Sequence, residues 1–255
     1  MKKQRNTHNG PTLYGFHAVR EAWLNPVREV DALFLTDQAL RGFEDTLREA
    51  GDKGVRRPQP QVLDKDRLEG MLPRGAVHQG LALACRALPD IFIQDFIIRA
   101  ETKGESLLLM LDQVTDPHNV GAIIRSAAAF GADGIVMQRK HAPELDGVLA
   151  KTACGGLEHM PVAFETNLSR ALEELKSNGF FAYGLDERGE KTISALPKDG
   201  KRILVLGAEG PGMRRLVAEN CDELVKLPTQ LPIASLNVSN AAAVALYAVG
   251  SNDFL

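Results

Sequence analysis

Three stretches of this chain set polar side chains and glycines where an apolar strand should end and a helix begin. The first is Asp112-Gln-Val-Thr-Asp-Pro-His-Asn-Val-Gly-Ala-Ile-Ile-Arg-Ser. Pro117 and Asn119 suit a helix start, Asn as a cap. Gly121 permits close backbone approach, and Arg125 lies one turn beyond it on the same face. A guanidinium inside a helix otherwise made of Val, Ile, Ala and Phe needs an anionic or polar partner. That partner is either a ligand or an ion pair with Asp112 or Asp116. The second stretch is Leu206-Gly-Ala-Glu-Gly-Pro-Gly. Its glycines follow a Gly-x-x-Gly-x-Gly order, which is not the dinucleotide fingerprint, and no Gly-Lys-Ser/Thr follows. A phosphate cradle would not hold Glu209, so this turn reads as a display for a carboxylate, functional or merely solvated. The third is Leu227 to Ala243, with Ser235, Asn237 and Ser239 at the head of an apolar helix. Ser235 can serve as a helix cap, whereas buried polar groups at Asn237 and Ser239 must find partners.

The elements around these loops alternate. Ser106 to Val114 is a near-continuous apolar run, which suits a strand buried on both faces of a parallel sheet. Helix then follows over 120–130, with further strands at GIVMQ, MPVAF, FFAYGLD, RILVLG and ELVKL. Helices are expected near 145–154 and over 168–176, 212–220 and 236–249. This alternation implies an α/β class with a parallel sheet covered on both faces, and ligands in such sheets bind beyond the carboxyl ends of the strands. The last helix is small or apolar around most of its circumference, so it is buried in the domain or packs on a second subunit. Upstream, a strand or turn at residue 13 feeds a helix, and strands are expected at 30–36 and 77–88 with a helix between them. The expected division is a basic tail over 1–10, a small α/β domain over 11–88, a linker containing a short helix over 89–104, and the main domain over 105–255.

The chain has 255 residues, 44% hydrophobic and 25% charged, which excludes wholesale disorder. No apolar run reaches the roughly 18 residues that a membrane span needs. The start MKKQRNTHNG lacks the apolar core of a secretory signal. Cys85, Cys154 and Cys221 are odd in number and far apart, which argues against a disulfide framework or a Cys-x-x-Cys zinc site and for a reducing, cytoplasmic setting. The six histidines show no ligand spacing, so no metal is expected. Net charge is −3, yet residues 1–88 carry 14 basic against 11 acidic side chains, and the remainder carries 16 against 22. A basic module joined to an acidic enzyme is one reading, and ordinary fluctuation is the other.

Taken together, the three loops resemble the signature motifs of the SpoU (TrmH-type) RNA ribose 2'-O-methyltransferases of the SPOUT superfamily. Asn119-x-Gly121-x-x-x-Arg125-Ser126, Leu206-Gly207-x-Glu209-Gly210-x-Gly212 and Ser235-Leu236-Asn237-Val238-Ser239 carry the likeness. Tyr14-Gly15-x-His17-Ala18-Val19 and His78-Gln79-Gly80 resemble a ribosomal-protein-L30e-like substrate-binding domain found in part of the family. The resemblance implies a deep C-terminal trefoil knot, a homodimer, and S-adenosylmethionine as methyl donor. It implies a guanosine of 23S ribosomal RNA as the target, with transfer RNA as the alternative. By motif position it assigns catalysis to Asn119, Arg125, Glu209, Ser235 and Asn237, and the donor pocket to Leu206, Gly207, Gly210, Leu227 and Leu236. Asn240 falls where the family more often has a small apolar residue. A guanidinium is a poor base, so Arg125 is expected to support a developing alkoxide electrostatically. Lys2, Lys3, Arg5, His17, Arg56 and Arg57 are candidate RNA contacts in the N-terminal domain. The competing classes are a nucleotide-dependent dehydrogenase, disfavoured by the absent fingerprint, and a non-catalytic RNA-binding relative.

Overall fold

A computed structural model describes residues 10–230 and 235–250. Lys2, Lys3 and Arg5 lie outside the described residues. The chain forms two compact units, one comprising residues 1–89 with 144–158, the other 90–143 with 159–255.

The first unit runs β1 (Leu13–Tyr14), α1 (Phe16–Leu24), β2 (Val30–Leu35), α2 (Asp37–Asp52), β3 (Gln61–Val62), α3 (Lys65–Gly70) and β4 (Leu81–Cys85). Its sheet has the order β1-β4-β2-β3, antiparallel except for the β2–β3 pair. Thr36 caps α2 by accepting from the Ala39 amide, so this helix starts earlier than its apolar periodicity suggests. Trp23 and Phe43 meet edge to face in the core, beside Leu33, Leu35, Leu81 and Leu83. The short β3 and α3 carry too few apolar residues to announce themselves in the sequence.

The second unit begins with α4 (Ile93–Lys103), β5 (Ser106–Asp112), α5 (Pro117–Ala129) and β6 (Gly134–Gln138). The chain then passes through α6 (Gly147–Thr152) in the first unit. It continues with β7 (Val162–Glu165), α7 (Leu168–Ser177), β8 (Phe181–Leu185), β9 (Lys191–Thr192), β10 (Lys201–Gly207), α8 (Arg215–Asn220), β11 (Glu223–Lys226) and α9 (Val238–Val249). The sheet order is β7-β6-β5-β10-β8-β11-β9, and every pairing is parallel. The 89–104 stretch is largely α4. Ile93, Phe96, Ile97 and Ala100 of that helix join α7, α8 and one face of the central strands in a single apolar cluster. Gly104 ends it in the left-handed conformation (φ 77°). Helices α5 and α9 pack together, with the Phe130 and Tyr247 rings edge to face. Every residue of β5 is buried, as its unbroken apolar run requires. Among the described residues, no helix is long and apolar enough to cross a membrane.

Candidate active site

Parallel strands deliver their following loops to one edge of the sheet. There β5 ends at Asp112, paired in register with Gly207 at the end of β10, and β11 ends close by in sheet order at Lys226. All three polar stretches therefore leave the same edge.

The Leu206–Gly212 stretch folds back on itself. The Gly212 amide donates to the Ala208 carbonyl at 2.9 Å, and a Cβ on Gly207 would run into the backbone of Gly212 and Met213. Only glycine at 207 allows so close a return. Gly210 (φ 86°) turns the chain at the tip, and Glu209 beside it is exposed.

The sequence suggested Asn119 as a helix cap, but the cap of α5 is Asp116, which accepts from the His118 amide at 3.0 Å. Pro117 takes the first helical position, where its missing N–H costs nothing. The Asn119 amide is thereby free to reach outward. Likewise the cap of α9 is Asn237, not Ser235, which is exposed in the segment before the helix.

Asn237 joins all three stretches. Its Oδ1 accepts from the Ser239 amide (2.9 Å) and the Ser239 hydroxyl (2.6 Å). That fixes which way the amide faces, because the backbone N–H can only donate. Its Nδ2 therefore points the other way, donating to Asn119 Oδ1 at 3.1 Å and Glu209 Oε2 at 3.2 Å. Asn119 is left with its Nδ2 donors, and Glu209 with Oε1, unpartnered among the described residues. Ser239 thus completes the arrangement. Its place at the head of an apolar helix was the signal in the sequence.

Arg125 is exposed and forms no hydrogen bond or ion pair among the described residues. The two carboxylates offered as its partners are engaged elsewhere. Asp116 caps α5, and Asp112, fully buried, binds Arg214. Arg214 carried no motif, and its role appears only through strand register.

Leu206 is buried at the end of β10, Leu227 is half-buried just past β11, and Leu236 keeps 39% of its surface exposed. A Cβ on Gly210 or Gly212 would meet nothing within 4 Å, so the loop backbone is open to a ligand. Apolar side chains among accessible main-chain groups fit an adenosyl moiety. Burial pushes the Cys221 thiol up to about 12, so it is not a nucleophile at neutral pH. Among the described residues, no group of three or more His, Cys, Asp or Glu could hold a metal.

In the first unit, His17 and Arg56 are exposed, as an RNA contact requires. Arg57 is not available for one. Its guanidinium donates to the Ala22, Trp23 and Asn25 carbonyls at the end of α1, where acceptors are left without helical partners, and to the Arg28 carbonyl in the turn beyond. Desolvation lowers its pKa.

A parallel sheet with polar loops converging at its carboxyl edge defines an α/β enzyme with its site at that edge. The chain matches the SpoU rRNA Methylase family over residues 106–247, and RNA 2'-O ribose methyltransferase substrate binding over residues 12–90. It therefore belongs to the SpoU rRNA methylase family and is an RNA 2'-O-ribose methyltransferase. It is 36% identical over 240 residues to the 23S rRNA (guanosine-2'-O-)-methyltransferase RlmB of Pseudomonas aeruginosa, covering 93% of this chain and 94% of that protein. The RlmB of Haemophilus influenzae is 35% identical over 241 residues, covering 93% and 96%. The fold is similar to the SpoU methyltransferase AviRb from Streptomyces viridochromogenes in complex with AdoMet. The TM-score there is 0.75 at 23% identity, covering 97% of this chain and 93% of that one.

Proposed function

We propose that this chain transfers a methyl group from S-adenosylmethionine to the ribose 2'-hydroxyl of a guanosine in 23S ribosomal RNA. The observation that carries the reading is the Asn237 amide, which binds Asn119 and Glu209 from two other segments of the chain. The relatives named for 23S rRNA match along both units, which favours ribosomal over transfer RNA.

S-adenosylmethionine supplies a methyl group already activated on a sulfonium. The protein's task is then alignment and a better nucleophile. Leu206, Leu227 and Leu236 would pack the adenine, with the backbone around Gly207 and Gly210 reading its edge. Asn119 would donate from Nδ2 to the target ribose, and Glu209 Oε1 would accept a hydrogen bond or proton. Arg125, unpaired among the described residues, would stabilise the negative charge that develops on the 2'-oxygen. Ser235 would hold the loop against the substrate.

The same reading includes a trefoil knot in the second unit and an L30e-like fold for the first. His17, Arg56, Lys2, Lys3 and Arg5 would contact RNA phosphates. It also includes a cytoplasmic homodimer. Val244 and Tyr247 support the dimer, being 47% and 75% exposed on the outer face of α9, where a partner subunit would cover them.

The test is incubation with methyl-labelled donor and 23S rRNA or transfer RNA, followed by mapping of the label. Label on a ribose 2'-oxygen of a 23S guanosine is the expected result. Label confined to transfer RNA would move the substrate, and label on a base or on no RNA would overturn the reading.

A further inference from the structure

Asp112 is the one carboxylate among the buried residues of the described chain with no exposed surface, and it sits at the strand end that leads to Asn119. Its Oδ2 accepts from the Arg214 amide at 2.7 Å. Its Oδ1 accepts from Arg214 Nε at 2.8 Å and lies 2.6 Å from Nη2. The backbone contact ties down the loop that carries Glu209. The side-chain contacts do something further. A guanidinium is a rigid planar fork, so engaging the Nε/Nη2 edge fixes where the remaining donors point. Nη1 lies on the far side from Asp112 and has no partner among the described residues. The Arg214 side chain is 39% exposed, and Nη1 is not among the buried atoms that lack a partner, so water reaches it. A structural ion pair has no need for a half-exposed guanidinium at a ligand-binding edge. One held rigid by a buried carboxylate, with an edge left open, is built to meet an anion.

We propose that Arg214 is an anion-binding residue of this site, its open Nη1 edge held out by Asp112 for an anionic oxygen. That oxygen belongs to an RNA phosphate or to the carboxylate of the methyl donor. The proposal rests on the methyltransferase reading and adds a contact that the three motifs do not contain.

The single variant Arg214→Gln leaves a buried carboxylate unpaired and can lose stability for that reason alone. The double variant Asp112→Asn/Arg214→Gln replaces the pair with two neutral amides that can still hydrogen-bond, and its thermal midpoint verifies the fold. Arg214→Lys keeps the charge without the fork. Affinity for a 23S rRNA fragment is measured from 50 to 200 mM salt, and affinity for S-adenosylmethionine is set against 5'-methylthioadenosine, which lacks the carboxylate. If the anion is a phosphate, the folded double variant binds RNA about tenfold more weakly, as loss of a charged hydrogen bond predicts. Its slope of log affinity against log salt then falls by about 0.7–1, with donor affinity unchanged. If the anion is the donor carboxylate, S-adenosylmethionine binds about tenfold more weakly, and methylthioadenosine and the salt slope do not move. Arg214→Lys recovers part of either loss. A folded double variant that matches the unsubstituted protein in both assays overturns the proposal alone. An unsubstituted protein that binds neither RNA nor donor overturns the proposed function and this contact with it.

Discussion

Four arginines, two in each unit, have opposite fates. In the first unit, Arg28 is buried, paired with Glu158 at 2.5 Å and donating to the Arg86 carbonyl, while Arg57 closes the end of α1 with four carbonyl contacts. Both guanidiniums are consumed by the fold. At the carboxyl edge of the second unit, Arg125 is unpaired among the described residues and Arg214 engages Asp112 through one edge. A guanidinium stays charged in all four settings. What differs is how many of its donors the protein has already satisfied, and only unsatisfied donors can act on a ligand. The lesson extends to Asn237, whose amide is fully occupied, and to Asn119 and Glu209, which it orients while leaving part of each free.

Breaking the first unit's arrangement should give the largest effect. Arg28→Met removes the cation from the buried Glu158 carboxylate and leaves it the Asn25 amide at 2.8 Å, and loss of about 3 kcal/mol of stability is expected in chemical denaturation. A loss below about 1 kcal/mol would mean that Glu158 finds another partner. Removing an unconsumed arginine should do the reverse. Arg125→Ala should lower kcat by about 10²–10³-fold. Its stability should stay within about 0.5 kcal/mol and its S-adenosylmethionine affinity should be intact. Retained turnover would remove Arg125 from the chemistry.

Asn237→Ala blurs the distinction, since one side chain both caps α9 and orients the site. A loss of about 1 kcal/mol in stability should accompany a fall in kcat larger than that loss explains. Calorimetry and single-turnover kinetics on one preparation separate the two. Thr36→Ala touches only a cap in the first unit, and should cost about 1 kcal/mol with no change in kcat.

The last effect appears only at alkaline pH. Burial disfavours the thiolate and pushes the Cys221 thiol up to about 12 from an ordinary value near 9. The unfolded chain therefore loses its proton first. This contribution is complete below about pH 9 and is lost as pH rises toward 12. Cys221→Ala should flatten the alkaline fall in stability, and parallel curves for the two proteins would argue against the assignment.

Much of this molecule was legible residue by residue. Unbroken apolar runs such as Ser106–Asp112 announced buried parallel strands, and their alternation with helices announced the sheet. Asn237 and Ser239 stood out because polar groups beside an apolar helix need partners, Glu209 because a glycine-rich turn displays it, and Asn119 through the likeness of its stretch to the family's motif. Short elements such as β3, α3 and β9 were not legible, because two to six residues hold too little periodicity. Nor was the membership of residues 144–158 in the first unit, which depends on contacts distant in the chain, such as Arg28 with Glu158.

The sequence by itself determined the element types, the three polar loops and their order, since these follow from local periodicity and the types of neighbouring residues. Only the tertiary structure decided which partner each polar group takes. Asp112 belongs to Arg214 rather than Arg125, Asn237 rather than Ser235 caps the last helix, and Arg57 serves the fold rather than RNA. Hydrogen bonds and ion pairs act over about 3 Å. Which groups come that close depends on strand register and helix packing, which no single stretch of chain encodes.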